Sequence, residues 1–360
     1  MTLRLDCIAS PAARATLAGL GRTEDLVYAP SGRRLAIAGY AANRIAVFDV
    51  AVVASNAGRK VFLSDVVEFE AETLRHPHGL CFLDEATVAV ANRTGGLQLF
   101  AVPYAEREPG PRRAEPRRTI TGGGNAPITT PGSVSVFPLG RDALELLVCN
   151  NYSHLVTRHV LDRRQGWASV RDDVLLRRGL DVPDGICHSA DGAWIAVSNH
   201  NTHEVLLFRR TPALGPEAAP DGVLRNVICP HGLRFTRDQR HVLVADAHAR
   251  YVNVYERGAA GWAGVHDPVH MAPVLDRATY LQGRSNPEEG GPKGIDIDAR
   301  MGVVACTTQF QTLAFFDLAP MLSRSARAPN RYARHVAWRL AHAIHRLRPQ
   351  VYAWLRPLWN

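Results

Sequence analysis

The chain has 360 residues, 46% of them hydrophobic, with 42 Lys and Arg against 34 Asp and Glu, for a formal charge of +8. A chain this long buries about three quarters of the surface it exposes when unfolded, so it needs no disulfide staples, and no run of about 18 apolar residues marks a membrane-crossing helix. The positive charge is almost all arginine, since Lys60 and Lys293 are the only lysines, and the interleaved basic and aromatic residues of a nucleic-acid reader are missing, so no nucleic-acid partner is expected.

At the start, Arg4, Asp6 and Arg14 interrupt any apolar stretch, which argues against a signal peptide. From Glu24 onward one pattern is written six times. Its clearest copy runs from Pro230-His231-Gly232-Leu233 to Glu256: a tight opening, a short apolar run, a polar turn, the run Val242 to Ala245 ending at Asp246, and the alternating Tyr251 to Tyr255. The other copies open at Glu24-Asp25-Leu26, Pro77-His78-Gly79, Pro131-Gly132-Ser133, Pro183-Asp184-Gly185 and Pro292-Lys293-Gly294. Equivalent positions are 54, 54, 52, 47 and 62 residues apart. A bare propeller blade takes roughly 40–50 residues, so the excess goes to outer loops.

This predicts an all-β fold, a six-bladed β-propeller over 1–320, followed by a C-terminal basic amphipathic helix within 321–360. The last repeat supplies only three strands before Pro320, and Leu3 to Ile8 is expected to close that blade as its fourth strand, which removes a sheet edge. Two insertions break the rhythm. One, Pro103 to Thr130, includes Glu106 to Arg113 and the glycines Gly122 to Gly124, which no Gly-Lys-Ser/Thr follows, so a surface loop or lid is expected and not a phosphate cradle. The other, His266 to Gly291, is expected to wrap the end of the channel near Lys293.

In the tail, Tyr332, Val336, Leu340, Ile344, Leu347, Val351 and Leu355 recur at helical spacing, with Arg331, Arg334, Arg339, His342, Arg346 and Arg348 between them and Pro349 and Pro357 interrupting. Such a helix, carrying Trp338, Trp354 and Trp359, either packs on the propeller rim or, through 329–360, meets an anionic membrane surface or a protein partner. The six cysteines show no CxxC spacing; all are read as small reduced core residues, which fits a cytoplasmic location, peripheral to a membrane if the tail binds one.

Repetition carries scattered residues to a common axis. In a propeller the innermost strands line the channel in one direction, so Glu24, His78, Gly132, Asp184, His231 and Lys293 are expected in one ring at one mouth. Gly39, Asn92, Asn150, Asn199, Asp246 and Thr307, one strand further out, are expected to support that ring. Charges gathered in a channel must be paired or ligated. Two readings stay open: a divalent metal bound by Glu24, Asp184 and one or both of His78 and His231, or a polar plug in which Glu24 pairs with Lys293 and Asp184 with His231. His188, His200, His203 and His248 are read as structural.

The Glu24-Asp25-Leu26 opening, Pro77-His78-Gly79-Leu80, and Pro183-Asp184-Gly185-Ile186 followed by Ser189-Ala190-Asp191-Gly192 resemble the six-bladed paraoxonase/arylesterase, gluconolactonase and strictosidine-synthase-like propellers over about 24–317. The resemblance implies a central metal site to which Glu24 contributes with Asp25 in support, and a proposed base at His78. Those families usually carry Asn at the positions of Gly132 and Asp184 and Asp at that of His231. Imidazole in place of an oxygen ligand disfavours calcium and favours Zn, Mn, Fe, Co or Cu.

The leading expectation is metal-dependent hydrolysis of a small-molecule lactone or ester, with His78 activating water and Lys293 beside the oxyanion. The alternatives are a propeller without chemistry, tethered by its tail, and a metal-free lyase or condensing enzyme using Glu24 or His78 as acid or base.

Overall fold

Alternation sorts each strand's side chains into two interfaces. In Arg34–Gly39, Leu35 and Ile37 enter an apolar cluster with Val303, Ala305 and Phe315 of the sixth repeat, whereas Ala36 and Ala38 enter one with Leu80, Val88 and Phe100 of the second. The same division recurs around the molecule, so that an apolar cluster lies between each repeat and the next. The computed structural model of the chain describes residues 3–55, 58–103, 110–298, 300–323 and 331–355. The readings placed on Glu106 to Pro109, on the side chains of Arg331, Tyr332, Arg334, Val336 and Trp354, and on Pro357 and Trp359 lie outside it.

The chain is mostly β and propeller-like. Its six first strands, Thr23–Tyr28, Pro77–Asp84, Pro131–Pro138, Pro183–His188, Pro230–Phe235 and Ile295–Asp298, each pack on the next, and the last returns to the first. The expected six separate blades are corrected. The second to fifth repeats form separate sheets of four or five strands, while the first and sixth share one nine-stranded sheet. The cause is the N-terminal strand Arg4–Ala9: Arg4 and Leu5 pair antiparallel with Phe316 and Phe315, and Asp6 to Ala9 then pair parallel with Lys60 to Leu63 of the first repeat. It closes the last meander and fuses it to the next.

Five of the first strands slip register against their neighbours at one place, between Thr23 and Leu26, Pro77 and Leu80, Pro131 and Val134, Pro183 and Ile186, and Pro230 and Leu233. A bulge of this kind turns side chains out of the sheet, here at the positions of Glu24, His78, Asp184 and His231. The glycine that follows permits the close approach: a Cβ on Gly185 would lie 2.1 Å from the carbonyl oxygen of His231, and one on Gly232 2.5 Å from that of Lys293.

Five cysteines are buried and free, as small core residues should be, but Cys7 on the N-terminal strand is exposed. Among the described residues no helix is long and apolar enough to cross a membrane. The C-terminal helix Arg331–Leu347 lies against the fourth and fifth repeats, where Trp338 covers Ile228, Cys229 and Ala247 and meets the His203 ring edge-on at 4.3 Å. His342 Nε2 reaches Glu288 at 3.2 Å.

Candidate active site

The bulged openings, together with the turn before Ile295–Asp298 that carries Lys293, bring five sequence-predicted residues into one buried cluster. Lys293 Nζ lies 3.0 Å from Glu24 Oε2, His231 Nε2 3.4 Å from that same oxygen, and His78 Nε2 3.7 Å from it. On its other side His231 Nε2 is 3.0 Å from Asp184 Oδ2. The two imidazoles stack, centroids 5.4 Å apart. Both pairs of the polar-plug reading, Glu24 with Lys293 and Asp184 with His231, are therefore formed.

Three neighbours were not singled out in the sequence. Glu289, from the second insertion, lies 2.9 Å from Lys293 Nζ and 3.1 Å from Arg22, and Arg22 also pairs with Glu24. Together Arg22 and Glu289 close over the Glu24–Lys293 pair. Asn151 Nδ2 donates to Asp184 Oδ1 at 2.7 Å. A Cβ on Gly132 would lie 2.0 Å from Asn151 Oδ1, so Asn151 occupies the space a side chain at 132 would need. The signals available were faint: Glu289 stands four residues before Lys293 in the insertion expected at this mouth, and Asn151 doubles Asn150.

The residues expected to support the ring work on backbone. Asn92 accepts from the Arg75 N–H and donates to the Thr73 carbonyl, Asn150 accepts from Thr129, and Asn199 accepts from Asp181 and donates to Gly179. Asp246 accepts from Ile228 and Cys229. Each pins the loop leading into its own first strand, so support reaches the ring through the main chain. Asp25 likewise bridges strands, accepting from Leu26 at 2.9 Å and from Leu80 at 3.0 Å; burial pushes its carboxyl up to about 6, opposed by the Arg234 guanidinium.

Electrostatics separate the two histidines. His78 donates Nδ1–H to the Gly132 carbonyl at 2.6 Å, so its Nε2 carries a bare lone pair facing the ring, and burial, outweighing Glu24, lowers it to about 4. His231 moves the other way: burial would lower it, but Asp184 and Glu24 raise it above its ordinary value. Burial would raise Glu24, yet Lys293, His231, His78 and Arg22 hold it well below the carboxylate range. Asp184 is likewise held down against burial, by His231 first.

Glu24, His78 and His231 form a group that could hold a metal ion, their ligand atoms lying within 4.8 Å of one another. A neutral imidazole whose Nδ1–H is tied to a backbone carbonyl offers Nε2 either to a metal or to a proton, so His78 suits a ligand or a base equally. Glu24 and His231 fit by donor type but would have to loosen Lys293 and Asp184.

No protein-family model matches the chain, and no curated protein matches it. Among solved structures, that of "a putative 6-phosphogluconolactonase from Bacteroides uniformis" aligns with a TM-score of 0.47 and 17% identity, over 69% of this chain and 71% of that one. A likeness at that level assigns no chemistry.

Proposed function

We propose that the protein hydrolyses a lactone or ester at this mouth of the channel, with a divalent ion of the zinc type held by Glu24, Asp184 and His231. The observation that carries this reading is the bare Nε2 of His78, aimed into a ring of carboxylate and imidazole donors and held unprotonated at neutral pH. A histidine cannot ligate and take a proton through the same nitrogen, and we place His78 as the base. Bound there, the ion would act as a Lewis acid on the carbonyl, and imidazole among its ligands favours Zn, Mn, Fe, Co or Cu over calcium.

The residues do the rest. His78 Nε2 takes the proton of the attacking water; the new C–O bond forms as the ring or ester C–O bond breaks; and the proton returns from His78 to the leaving oxygen. Lys293 and Arg22 supply positive charge beside the developing oxyanion. The Arg22–Glu289 pair covers the site.

A second reading has its own support: with Glu24 on Lys293, Asp184 on His231 and Arg22 on Glu289, the charges already satisfy one another, as in a binding platform without chemistry. One experiment separates the two. Elemental analysis and lactone or ester turnover are measured on the wild type and on Glu24→Ala; metal and turnover lost together support hydrolysis, whereas a wild type without stoichiometric metal, or full turnover in metal-free Glu24→Ala, rejects it.

A further inference from the structure

Two to six residues beyond the ring, about 7–20 Å further along strands that rise about 3.3 Å per residue, the first strands line a second cavity of about 420 Å³. Leu80, Phe82, Val134 and Ile186 make its wall apolar, and Arg234 is a cation on it. Ser135 and His188, from the first strands of the third and fourth repeats, also line it.

These two are hydrogen-bonded to each other. Ser135 Oγ lies 2.8 Å from His188 Nδ1, and His188 Nε2 lies 3.3 Å from Oε1 of Glu145, itself held by Arg210 Nε at 2.8 Å. The proton positions follow from the partners. Burial would raise Glu145, but hydrogen bonds from His188 and Arg210 keep it at about 2, so it is a carboxylate that only accepts. Nε2 of His188 therefore carries the hydrogen, Nδ1 is bare, and the Ser135 hydroxyl donates to it. The backbone N–H of His188 donates to Ser135 Oγ at 3.2 Å and fixes that oxygen. All three residues are shielded, with side-chain exposures of 3% for His188 and 5% for Glu145.

We propose that Ser135, His188 and Glu145 are a nucleophile, its base and the group that orients the base, forming a second reaction centre separate from the Glu24 ring. Acyl transfer needs a hydroxyl whose proton has somewhere to go and an imidazole held in one tautomer, and this arrangement supplies both, with the two ring nitrogens in the reverse of the usual order. Ser135 Oγ attacks the carbonyl carbon of an ester, and its proton passes to Nδ1 of His188. The carbonyl–alkoxy bond breaks and the alcohol leaves with that proton. Water then attacks the acyl-Ser135 ester, giving one proton to His188, which returns it to Ser135. Arg234, ion-paired with Asp296 at 2.8 Å, is the charged donor on the cavity wall for the oxyanion. The size and lining of the cavity suit an ester with a compact apolar acyl group.

The intact protein is treated with a small phosphonyl fluoride, a serine-directed probe, in the presence of a chelator, and adducts are located by mass spectrometry. The readout is an adduct and not turnover, so it does not depend on a metal at the Glu24 ring. One adduct on Ser135 is expected, absent in Ser135→Ala and formed at least about 100-fold more slowly in His188→Gln, with both variants checked for native circular dichroism. Glu145→Gln should slow labelling and shift the His188 ¹⁵N resonances away from the single Nε2–H tautomer. An unlabelled native protein, an adduct that survives in Ser135→Ala, or an unchanged rate in folded His188→Gln overturns the proposal.

Discussion

Lys293 Nζ sits 3.0 and 3.1 Å from the two oxygens of Glu24, a side chain with no exposed surface, 269 residues away in the chain and adjacent in the ring. Removing Lys293 takes away the first of the charges that hold this buried carboxylate ionised and leaves it to Arg22 and His231. Lys293→Met is expected to destabilise the protein by about 3–5 kcal/mol in urea denaturation, and adding Glu24→Gln to recover part of that loss. Strictly additive effects of the two changes would show that the pair is not coupled.

Acid should act in part through His78. Its value in the folded protein, about 4, lies below its ordinary 6.5, so between those limits the unfolded chain binds a proton that the folded one refuses, and stability falls as pH drops through that window. Glu24 and Asp184, both held low, lose their contributions only further into acid, while Asp25, pushed up to about 6, partly offsets the loss by protonating in the folded state. Between pH 7 and 5 the wild type should therefore lose about 1–2 kcal/mol more than His78→Asn. Equal losses, measured by chemical denaturation at both pH values, would contradict the placement of His78 as a buried neutral base.

The bulge glycines make a separate test. A methyl group at Gly185 would press on the His231 carbonyl, so Gly185→Ala should cost about 3 kcal/mol or prevent folding. Gly215 is the control: the nearest atom to its added Cβ is 4.0 Å away, and Gly215→Ala should stay within about 0.5 kcal/mol of the wild type. Comparable urea midpoints for the two variants would mean that the first strands are not in close contact.

Trp338 anchors the C-terminal helix over Ile228, Cys229 and Ala247. Trp338→Ala should raise amide exchange across 337–347 and leave exchange in the first strands unchanged. Unaltered protection in the helix would show that other contacts hold it.

The recurring Pro-X-Gly openings and alternating runs made the meanders and their common axis legible, because strand period and turn chemistry are local. The ring followed from the same logic: equivalent openings of the repeats put Glu24, His78, Asp184, His231 and Lys293 at one mouth. The fusion of the first and last repeats was not legible, since nothing in Arg4–Ala9 records that its second half will find Lys60 to Leu63. Cys7 was misread for the same reason, as a strand's sequence does not say which of its faces will be covered. His188 looked structural because its partners, Ser135 and Glu145, belong to the neighbouring repeat.

The sequence alone thus determined the repeated unit, the composition of the ring and the mixture of donors offered there, all of which depend on period and residue type. Only the tertiary structure decided which oxygen meets which cation, that Glu289 and Asn151 complete the site, and that a serine, a histidine and a glutamate converge lower in the channel. Those outcomes turn on hydrogen-bond distances of about 3 Å between side chains of different repeats, and residue spacing along one chain does not set distances across the gap between two.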